Sequence, residues 1–240
     1  MKFAHVADMH FDTAFTSLEN KKELRDIRRL EQREVFEKMI GEVKKNQIPY
    51  LFISGDLYEH KYIRLSTIEF INNLFKQIPN TKIFISPGNH DPYLKNSFYA
   101  QYEWAENVHI FKGDIEKIET AEADIYGIGF TDFYEGPLNI ENIQNINKEK
   151  INIAVVHGTI DGSDKVEMIY NPMSSKKLKE AGFDYVACGH IHKRIYDDEN
   201  KIVYPGSMIS FGFDELRRTW NANRQYRKRK KWNRVYKIRR

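Results

Sequence analysis

The segment Lys2-Phe3-Ala4-His5-Val6-Ala7-Asp8-Met9-His10 places a carboxylate and an imidazole directly after a short apolar run. Such a run predicts a buried strand, and the arrangement recurs along the chain. The predicted strands are Lys2–Ala7, Tyr50–Ser54, Lys82–Ser86, Ile151–Val156 and Tyr185–Cys188. The polar motifs that follow them are Asp8-Met9-His10, Gly55-Asp56, Gly88-Asn89-His90-Asp91, His157-Gly158 and Gly189-His190-Ile191-His192.

Helical patterns lie between these strands. Apolar residues share one helical face in two segments, which are Leu30, Phe36, Met39, Ile40 and Val43 in the first and Ile68, Ile71, Leu74, Phe75 and Ile78 in the second. Strands that alternate with helices predict an α/β fold with largely parallel pairing. In such sheets the carboxyl ends of the strands lie on one edge, where ligands bind. The five motifs are therefore expected to converge.

The residue types of these motifs are those of a metal site. Asp8 and His10 are two residues apart on a segment expected to be extended, so their side chains should project to one face, with Met9 pointing into apolar packing. The same spacing relates His190 and His192. Taken singly, the first, second and fourth motifs are more typical of a polar strand end, a turn and a buried histidine, whereas Gly-His-Ile-His fits a metal site about as well as a structural role and Gly-Asn-His-Asp is unusual after a strand. All five in this order at strand ends favour nitrogen and oxygen ligands for two divalent ions.

The ordered motifs resemble those of the calcineurin-like metallophosphoesterase superfamily. Three stretches are similar to its DNA-repair exonuclease branch, the nuclease subunit of SbcCD-type complexes. They are His5-Val6-Ala7-Asp8-Met9-His10-Phe11-Asp12, Ile53-Ser54-Gly55-Asp56-Leu57-Tyr58 and Ser86-Pro87-Gly88-Asn89-His90-Asp91. Tyr204-Pro205-Gly206-Ser207 also fits that branch, and the resemblance covers roughly residues 1 to 215. It implies a four-layer α/β/β/α sandwich, in which two mixed sheets are flanked by helices.

The resemblance also implies which residues bind metal. One ion would be held by Asp8, His10, Asp56 and His192, and the other by Asp56, Asn89, His157 and His190. Asp56 would bridge two ions about 3.5–4 Å apart, which activate a water and bind the phosphate oxygens. Mixed imidazole and oxygen ligands suit Mn²⁺, the ion expected here, and also Fe²⁺ or Zn²⁺.

Three further residues take their expected roles from the same resemblance. His90 would lie beside the scissile phosphate and protonate the leaving oxygen or stabilise the transition state, and Asp91 would fix its tautomer. Nucleases of this branch often carry a phosphate-contacting histidine shortly after the Gly-Asp motif. Glu59 occupies that position here and His60 follows it, so His60 is the candidate substrate-binding residue.

The function implied is a metal-dependent phosphodiesterase, a DNA exonuclease or endonuclease of the repair type, with a coiled-coil ATPase as a possible partner. Two alternatives stay open. One is a phosphatase or phosphodiesterase that acts on a phosphoester other than nucleic acid. The other is a binding module that keeps the fold without catalysis, which the intact ligand set disfavours because a decayed site should lose ligands.

Charge divides the chain into a domain, residues 1–216, and a basic tail, residues 217–240. The tail holds twelve Lys and Arg and no acidic residue. Removing these twelve from the 38 basic residues leaves 26 against 34 acidic ones, so the domain carries about −8. The formal net charge of +4 therefore does not by itself indicate nucleic-acid binding.

The tail has two interpretations. It is either a basic arm that contacts phosphate or the product of a shifted reading frame. Reading one base later with AT-rich codons permits a strand-like sequence that resembles the family's continuation, and the coding DNA decides between them.

Cysteine usage and the start of the chain predict a cytoplasmic protein. The single cysteine, Cys188, excludes an internal disulfide and falls in a predicted core strand, where it should be a buried small hydrophobe. The first predicted strand leaves no room for a signal peptide. No stretch has the length of a membrane-spanning helix, so no membrane association is expected.

Overall fold

A computed structural model describes residues 1–14, 22–134, 136–144, 146–162 and 170–209, together with the backbone of Ala222–Gln225. Two β-sheets pack face to face, and helices cover their outer faces. This is the four-layer α/β/β/α arrangement, with two mixed sheets, that the sequence predicted.

The first sheet contains the strands that carry the first three motifs. Its members are β1 (Lys2–Val6), β2 (Tyr50–Ile53), β3 (Lys82–Ile85), β4 (Val108–Ile110) and β11 (Ala222–Gln225). Their order is β11-β1-β2-β3-β4. Strands β1 to β4 run parallel, and β11 pairs with β1 in the antiparallel direction.

The second sheet carries the last two motifs. Its strands are β5 (Glu116–Glu119), β6 (Ala123–Gly127), β7 (Ile151–His157), β8 (Tyr185–Gly189), β9 (Ile195–Asp197) and β10 (Ile202–Tyr204). Their order is β5-β6-β7-β8-β10-β9. The central strands β6, β7, β8 and β10 are parallel, and the edge strands β5 and β9 are antiparallel to their neighbours.

Four helices in the described part of the chain complete the layers. They are α1 (Lys22–Lys45), α2 (Leu65–Lys76), the single turn α3 (Phe98–Gln101) and α4 (Ser175–Ala181), with a 3₁₀ turn at Ile140–Asn142. Helices α1 and α2 bury apolar residues against the outer face of the first sheet. Helix α4 and the 3₁₀ turn do so on the second sheet.

Alternation along the strands separates the interior into three apolar layers. In β2, Leu51 and Ile53 face the helices, whereas Tyr50 and Phe52 face the second sheet. Large aromatic side chains fill the space between the sheets, and Phe84 and Phe111 stack there with ring centroids 6.1 Å apart. Because both faces of these strands are covered, the strands read as continuous apolar runs.

Each of the five predicted strands is confirmed, and each differs from its predicted span by one residue at its carboxyl end. The apolar face predicted for α2 is also confirmed, since four of its five residues are buried within the helix and the fifth, Ile78, is buried just after it ends. The face predicted for α1 is wrong at Leu30, which is 60% exposed. Cys188 is buried in β8, as predicted.

The predicted basic tail lies outside the described residues, except for the backbone of β11. A membrane-spanning helix needs about 20 mainly apolar residues. None of the helices in the described part of the chain meets this requirement.

Two glycine substitutions should test how tightly the sheets meet. A Cβ at Gly189 would lie 1.8 Å from the carbonyl oxygen of Ser54, so Gly189→Ala should lower the free energy of unfolding by about 1–3 kcal/mol. The control is Gly41→Ala within α1, where nothing lies within 4 Å of the added carbon. It should stabilise by about 0.5–1 kcal/mol. Denaturant titration measures both, and an unchanged Gly189→Ala protein would contradict this packing.

Candidate metal centre

All five motifs meet at the carboxyl edges of the two sheets. Asp8, Asp56 and Asn89 follow three strands of the first sheet, and His157 and His190 come from two strands of the second. The loops after β1 and β2 are joined by backbone hydrogen bonds, among them His10 N to Asp56 O at 2.8 Å. The centre therefore lies between the sheets and takes side chains from both.

The backbone at this edge is not extended as predicted. Asp8, His10 and Asp56 have φ values of 54°, 45° and 52°, and His190 has 101°. The left-handed region is uncommon for residues other than glycine and often marks functional sites. The side chains of Asp8 and His10 still converge, and Met9 between them is fully buried, as predicted. The prediction that Asp8 and His10 project to one face therefore holds, but the extended backbone given as its reason was wrong.

The candidate ligand atoms form overlapping groups within the described residues. Asp8, His10 and His192 place their ligand atoms within 4.8 Å of one another, and so do Asp8, Asp56 and His157. Oδ2 of Asp56 lies 3.6 Å from Nε2 of His10 and 3.3 Å from Nε2 of His157. Asp8 belongs to both groups, whereas Asp56, which also forms a group with His10 and His90, is the carboxylate between the imidazoles of His10 and His157.

Two predicted ligands lie at the side of this cluster. Oδ1 of Asn89 is 3.1 Å from Nε2 of His157, which places the amide against the second group. The ring of His190 is 5.3 Å from the ring of His157, measured between centroids. A ligand role for His190 stays a prediction, because its nitrogens are not part of the tight groups found among the described residues.

Hydrogen bonds on the far ring nitrogens aim the imidazoles at the centre. Nδ1 of His157 donates to the carbonyl oxygen of Ser54 at 2.9 Å. Nδ1 of His10 contacts Oε1 of Glu59 at 2.7 Å. Both contacts leave Nε2 facing the cluster. Histidine ligands of metal ions are commonly held in this way.

The carboxylate of Asp8 provides a direct test of whether a cation fits. Its Oδ1 accepts a hydrogen bond from the backbone N–H of His190 at 2.9 Å. Its Oδ2 is buried and has no hydrogen-bond partner among the residues that the structure describes. A buried carboxylate oxygen without a partner is costly. A divalent cation among the neighbouring oxygen and nitrogen donors would satisfy it, so the residues present fit a metal.

Ion pairing between buried carboxylates and imidazoles shifts their pKa values in the candidate centre. Burial alone would raise the pKa of Asp56, but His157, His10 and His90 outweigh burial and hold this pKa well below its usual value. Burial opposes protonation of His157, yet Asp56 raises its pKa to about 9. Burial also raises the pKa of Asp8. Metal binding at such a site displaces protons from its ligands.

His90 stands at the open side of the centre, with its side chain 44% exposed. Its ring is 4.7 Å from that of His10, and its Nδ1 lies 3.0 Å from Oε2 of Glu59. Burial works against protonation of His90, but Glu59 and Asp56 raise its pKa to about 9. One carboxylate, that of Glu59, therefore holds both His10 and His90.

The contact predicted between Asp91 and His90 is made by Glu59 instead. The fully buried Asp91 carboxylate accepts hydrogen bonds from the backbone N–H groups of Asp56 at 3.0 Å, Leu57 at 2.6 Å and Gly88 at 2.7 Å. It also accepts one from the hydroxyl of Tyr99 at 2.7 Å. Asp91 thus fastens the loops after β2 and β3 to each other and does not orient the imidazole of His90.

Sequence reasoning treated Glu59 only as a departure from a family pattern. A signal was available, because a carboxylate three residues after Asp56 falls in the loop that leaves the centre. His60, the predicted substrate-binding residue, donates its backbone N–H to the carbonyl of His90 at 2.9 Å. Its ring lies beside Phe133, with centroids 5.5 Å apart. His60 is therefore next to the centre and outside the groups of candidate ligands.

Comparison with known proteins agrees with this geometry. The sequence model of the family described as Calcineurin-like phosphoesterase matches residues 1–194. The chain is 28% identical to the uncharacterized metallophosphoesterase YhaO of Bacillus subtilis, over 86% of this chain and 53% of that protein. It is 26% identical to a subunit of the nuclease SbcCD of Staphylococcus epidermidis, over 95% and 65% of the two chains. The corresponding subunit of Staphylococcus saprophyticus is also 26% identical, over 90% and 63%.

A solved structure supports the fold alone. The crystal structure of TT1561 of Thermus thermophilus superposes with a TM-score of 0.50 at 10% identity, over 86% of this chain and 89% of that one. The chain spans 53% to 65% of the length of the curated relatives it matches. The family match covers most of the chain, and the ligand cluster lies within it. The chain therefore belongs to the calcineurin-like phosphoesterase family.

Proposed function

We propose that this chain is a two-metal phosphodiesterase that cleaves DNA, as a nuclease of the repair type. The observation that carries the proposal is the position of Asp56, whose Oδ2 lies within 3.6 Å of Nε2 of both His10 and His157. A shared carboxylate between two imidazole groups suits a pair of divalent ions. Similarity to two proteins named as subunits of the nuclease SbcCD supports DNA as the substrate.

We assign the ligands as the sequence predicted. One ion takes Asp8, His10, Asp56 and His192, and the other takes Asp56, Asn89, His157 and His190. The donor set, with imidazole and oxygen ligands and no thiolate, suits Mn²⁺, Fe²⁺ or Zn²⁺. When bound, the two ions supply Lewis-acid chemistry, which activates a water and neutralises charge on the phosphate oxygens.

The proposed role of His90 is to give a proton to the leaving oxygen. Because Nδ1 is engaged by Glu59, Nε2 is the atom that would face the substrate. Glu59 favours the imidazolium form, which holds the proton at neutral pH. The exposure of His90 lets a phosphodiester reach it. Glu59 thus prepares His90 for this role while it also fixes His10, and Asp91 acts only by holding the loops in place.

Two other functions are compatible with the same residues. A phosphatase or phosphodiesterase acting on other phosphoesters would use the same centre, and a binding module would use none of its chemistry. The fit of the donor set to metal favours an enzyme over the binding module.

Since the two staphylococcal relatives are named as subunits of a complex, we include a coiled-coil ATPase among the proposed partners.

Substrate preference should separate these functions. With Mn²⁺, the full chain should hydrolyse bis-p-nitrophenyl phosphate faster than p-nitrophenyl phosphate and should cut labelled single-stranded or duplex DNA. The reason is that the two ions and His90 are proposed to act on a phosphate that carries two ester groups, as the phosphates of DNA do. Preference for the monoester without any cleavage of DNA would remove the nuclease proposal. Absence of all turnover would favour the binding module.

Asp56→Ala should abolish turnover and the rise in melting temperature that Mn²⁺ gives to the unaltered chain, because both ions would share this carboxylate. A ligand at 100 times its dissociation constant stabilises a protein by about 2.7 kcal/mol, so the rise is measurable by calorimetry. Asp124→Asn is the matched control. Asp124 is also buried, but it pairs with Lys117 and Lys150 at 3.4 Å and 3.0 Å.

The control should melt earlier than the unaltered chain and keep its response to Mn²⁺. A Mn²⁺-induced rise that survives in Asp56→Ala would contradict the assignment of Asp56 as the shared ligand.

His90→Ala should keep the Mn²⁺-induced rise in melting temperature while it slows hydrolysis by about 10²–10⁴-fold. Glu59→Gln, assayed at saturating Mn²⁺, should slow the unaltered chain but have much less effect when His90 is already alanine, because Glu59 acts on the reaction through His90. Steady-state kinetics of the two single variants and the double variant measure this. If the double variant instead slows hydrolysis by the product of the two single effects, Glu59 acts on the reaction by a route other than His90.

A further inference from the structure

An exposed group of aromatic side chains borders the metal centre and has no role in the chemistry proposed above. The loop after β6 passes the centre at Phe130, whose ring is 5.8 Å from that of His157. It then presents two aromatic residues to solvent. Phe133 is 37% exposed and Tyr134 is 73% exposed. Large aromatic residues at this exposure beside an active site indicate a binding surface.

Each exposed ring contacts a residue that lies next to the centre. Phe133 lies against His60, and the backbone of His60 is hydrogen-bonded to His90. Tyr134 lies nearly parallel to Tyr170, at an angle of 25° and a centroid distance of 6.2 Å. We call Phe133, Tyr134 and Tyr170 the aromatic ledge.

The ledge is continuous with the candidate ligands. The ring of Tyr170 is 5.4 Å from that of His190, which in turn is 5.3 Å from that of His157. Rings therefore follow one another from the buried centre to the open face of Tyr134. A group attached to a phosphate at the centre would extend over this face.

The chemistry of the ledge selects a flat, apolar ligand. Aromatic side chains stack on nucleobases of any identity, and the contact requires no charge. This matters here because residues 1–216 carry a net charge of about −8. Their overall charge therefore does not provide a cationic groove for a phosphate backbone. A base inside a duplex has both faces covered by its neighbours and cannot stack on a protein ring. The ligand must therefore be unpaired.

We propose that the aromatic ledge binds an unpaired nucleobase of a nucleotide next to the scissile phosphate. The inference rests on the proposed function and narrows its substrate to single-stranded or frayed DNA. Phosphate binding at the ions and base stacking on Tyr134 would then act on the same nucleotide. The ledge contributes binding, and the ions with His90 contribute the reaction.

Two diesters that differ only in the base test this. They are 2′-deoxyadenosine 5′-(p-nitrophenyl phosphate) and the same compound with hydrogen in place of adenine. The leaving group and the sugar are common to both, so their contributions cancel. With Mn²⁺, the full chain should hydrolyse the base-containing diester with a kcat/KM about 5- to 100-fold higher. The difference should lie mainly in KM.

Two substitutions of Tyr134 complete the experiment. Tyr134→Leu keeps an apolar side chain but removes the ring, and the preference for the base should fall toward unity while hydrolysis of the abasic diester is unchanged. Tyr134→Phe keeps the ring and should retain the preference. Because Tyr134 is 73% exposed, neither variant should affect folding, and thermal melts check this.

The outcomes distinguish the ledge from the function beneath it. Hydrolysis of both diesters at equal rates, or an unchanged base preference in Tyr134→Leu, would overturn the ledge and leave the phosphodiesterase standing. An equal loss on both diesters in Tyr134→Leu would show that the ring only supports the centre. Failure of the unaltered chain to hydrolyse either diester would overturn the proposed function and the ledge with it.

Discussion

The close approach of the two sheets at their carboxyl edges is the constraint on which the metal centre depends. Three motif glycines permit it, since a Cβ at Gly55 would lie 2.3 Å from Nδ1 of His157 and one at Gly88 would lie 2.9 Å from Cδ2 of the same histidine. At Gly189 the carbon would meet the backbone of the facing sheet. The centre draws ligands from both sheets, so any added atom here would separate them. In Gly55-Asp56, Gly88-Asn89 and Gly189-His190, the glycine therefore leaves the space that the polar side chain beside it needs.

A buried polar link below the centre sets how the sheets align. Nε2 of His5 in the first sheet contacts Oγ of Ser54 at 3.0 Å, and its Nδ1 contacts the hydroxyl of Tyr185 in the second sheet at 3.1 Å. Oγ of Ser54 donates to the carbonyl of Ala187 at 2.8 Å. Ser54 also accepts from His157, so the link reaches a candidate ligand. Apolar packing alone tolerates sliding, whereas satisfied buried hydrogen bonds specify one arrangement.

The sequence was sufficient for the strands and their convergence, because apolar runs and motif order are local signals. It placed Met9 in the core correctly. It failed at Leu30, because helical spacing identifies a face but does not tell how far along α1 the sheet extends beneath it. It also assigned to Asp91 the contact with His90 that Glu59 makes. Which carboxylate reaches His90 depends on how the loops after β2 and β3 fold together, and spacing along the chain does not contain that information.

The arrangement that suits cations includes several features that are unfavourable by themselves. Within the described part of the chain, Asp8 keeps a buried oxygen without a hydrogen-bond partner, and Asp56 relies on protonated imidazoles that would be neutral as ligands. Non-glycine residues also hold left-handed backbone conformations around it. Each feature is unfavourable by itself and persists only when the surroundings fix it. The aromatic core between the sheets, the glycine contacts and the hydrogen bonds of Asp91 supply that rigidity. The fold therefore holds the candidate ligands close together.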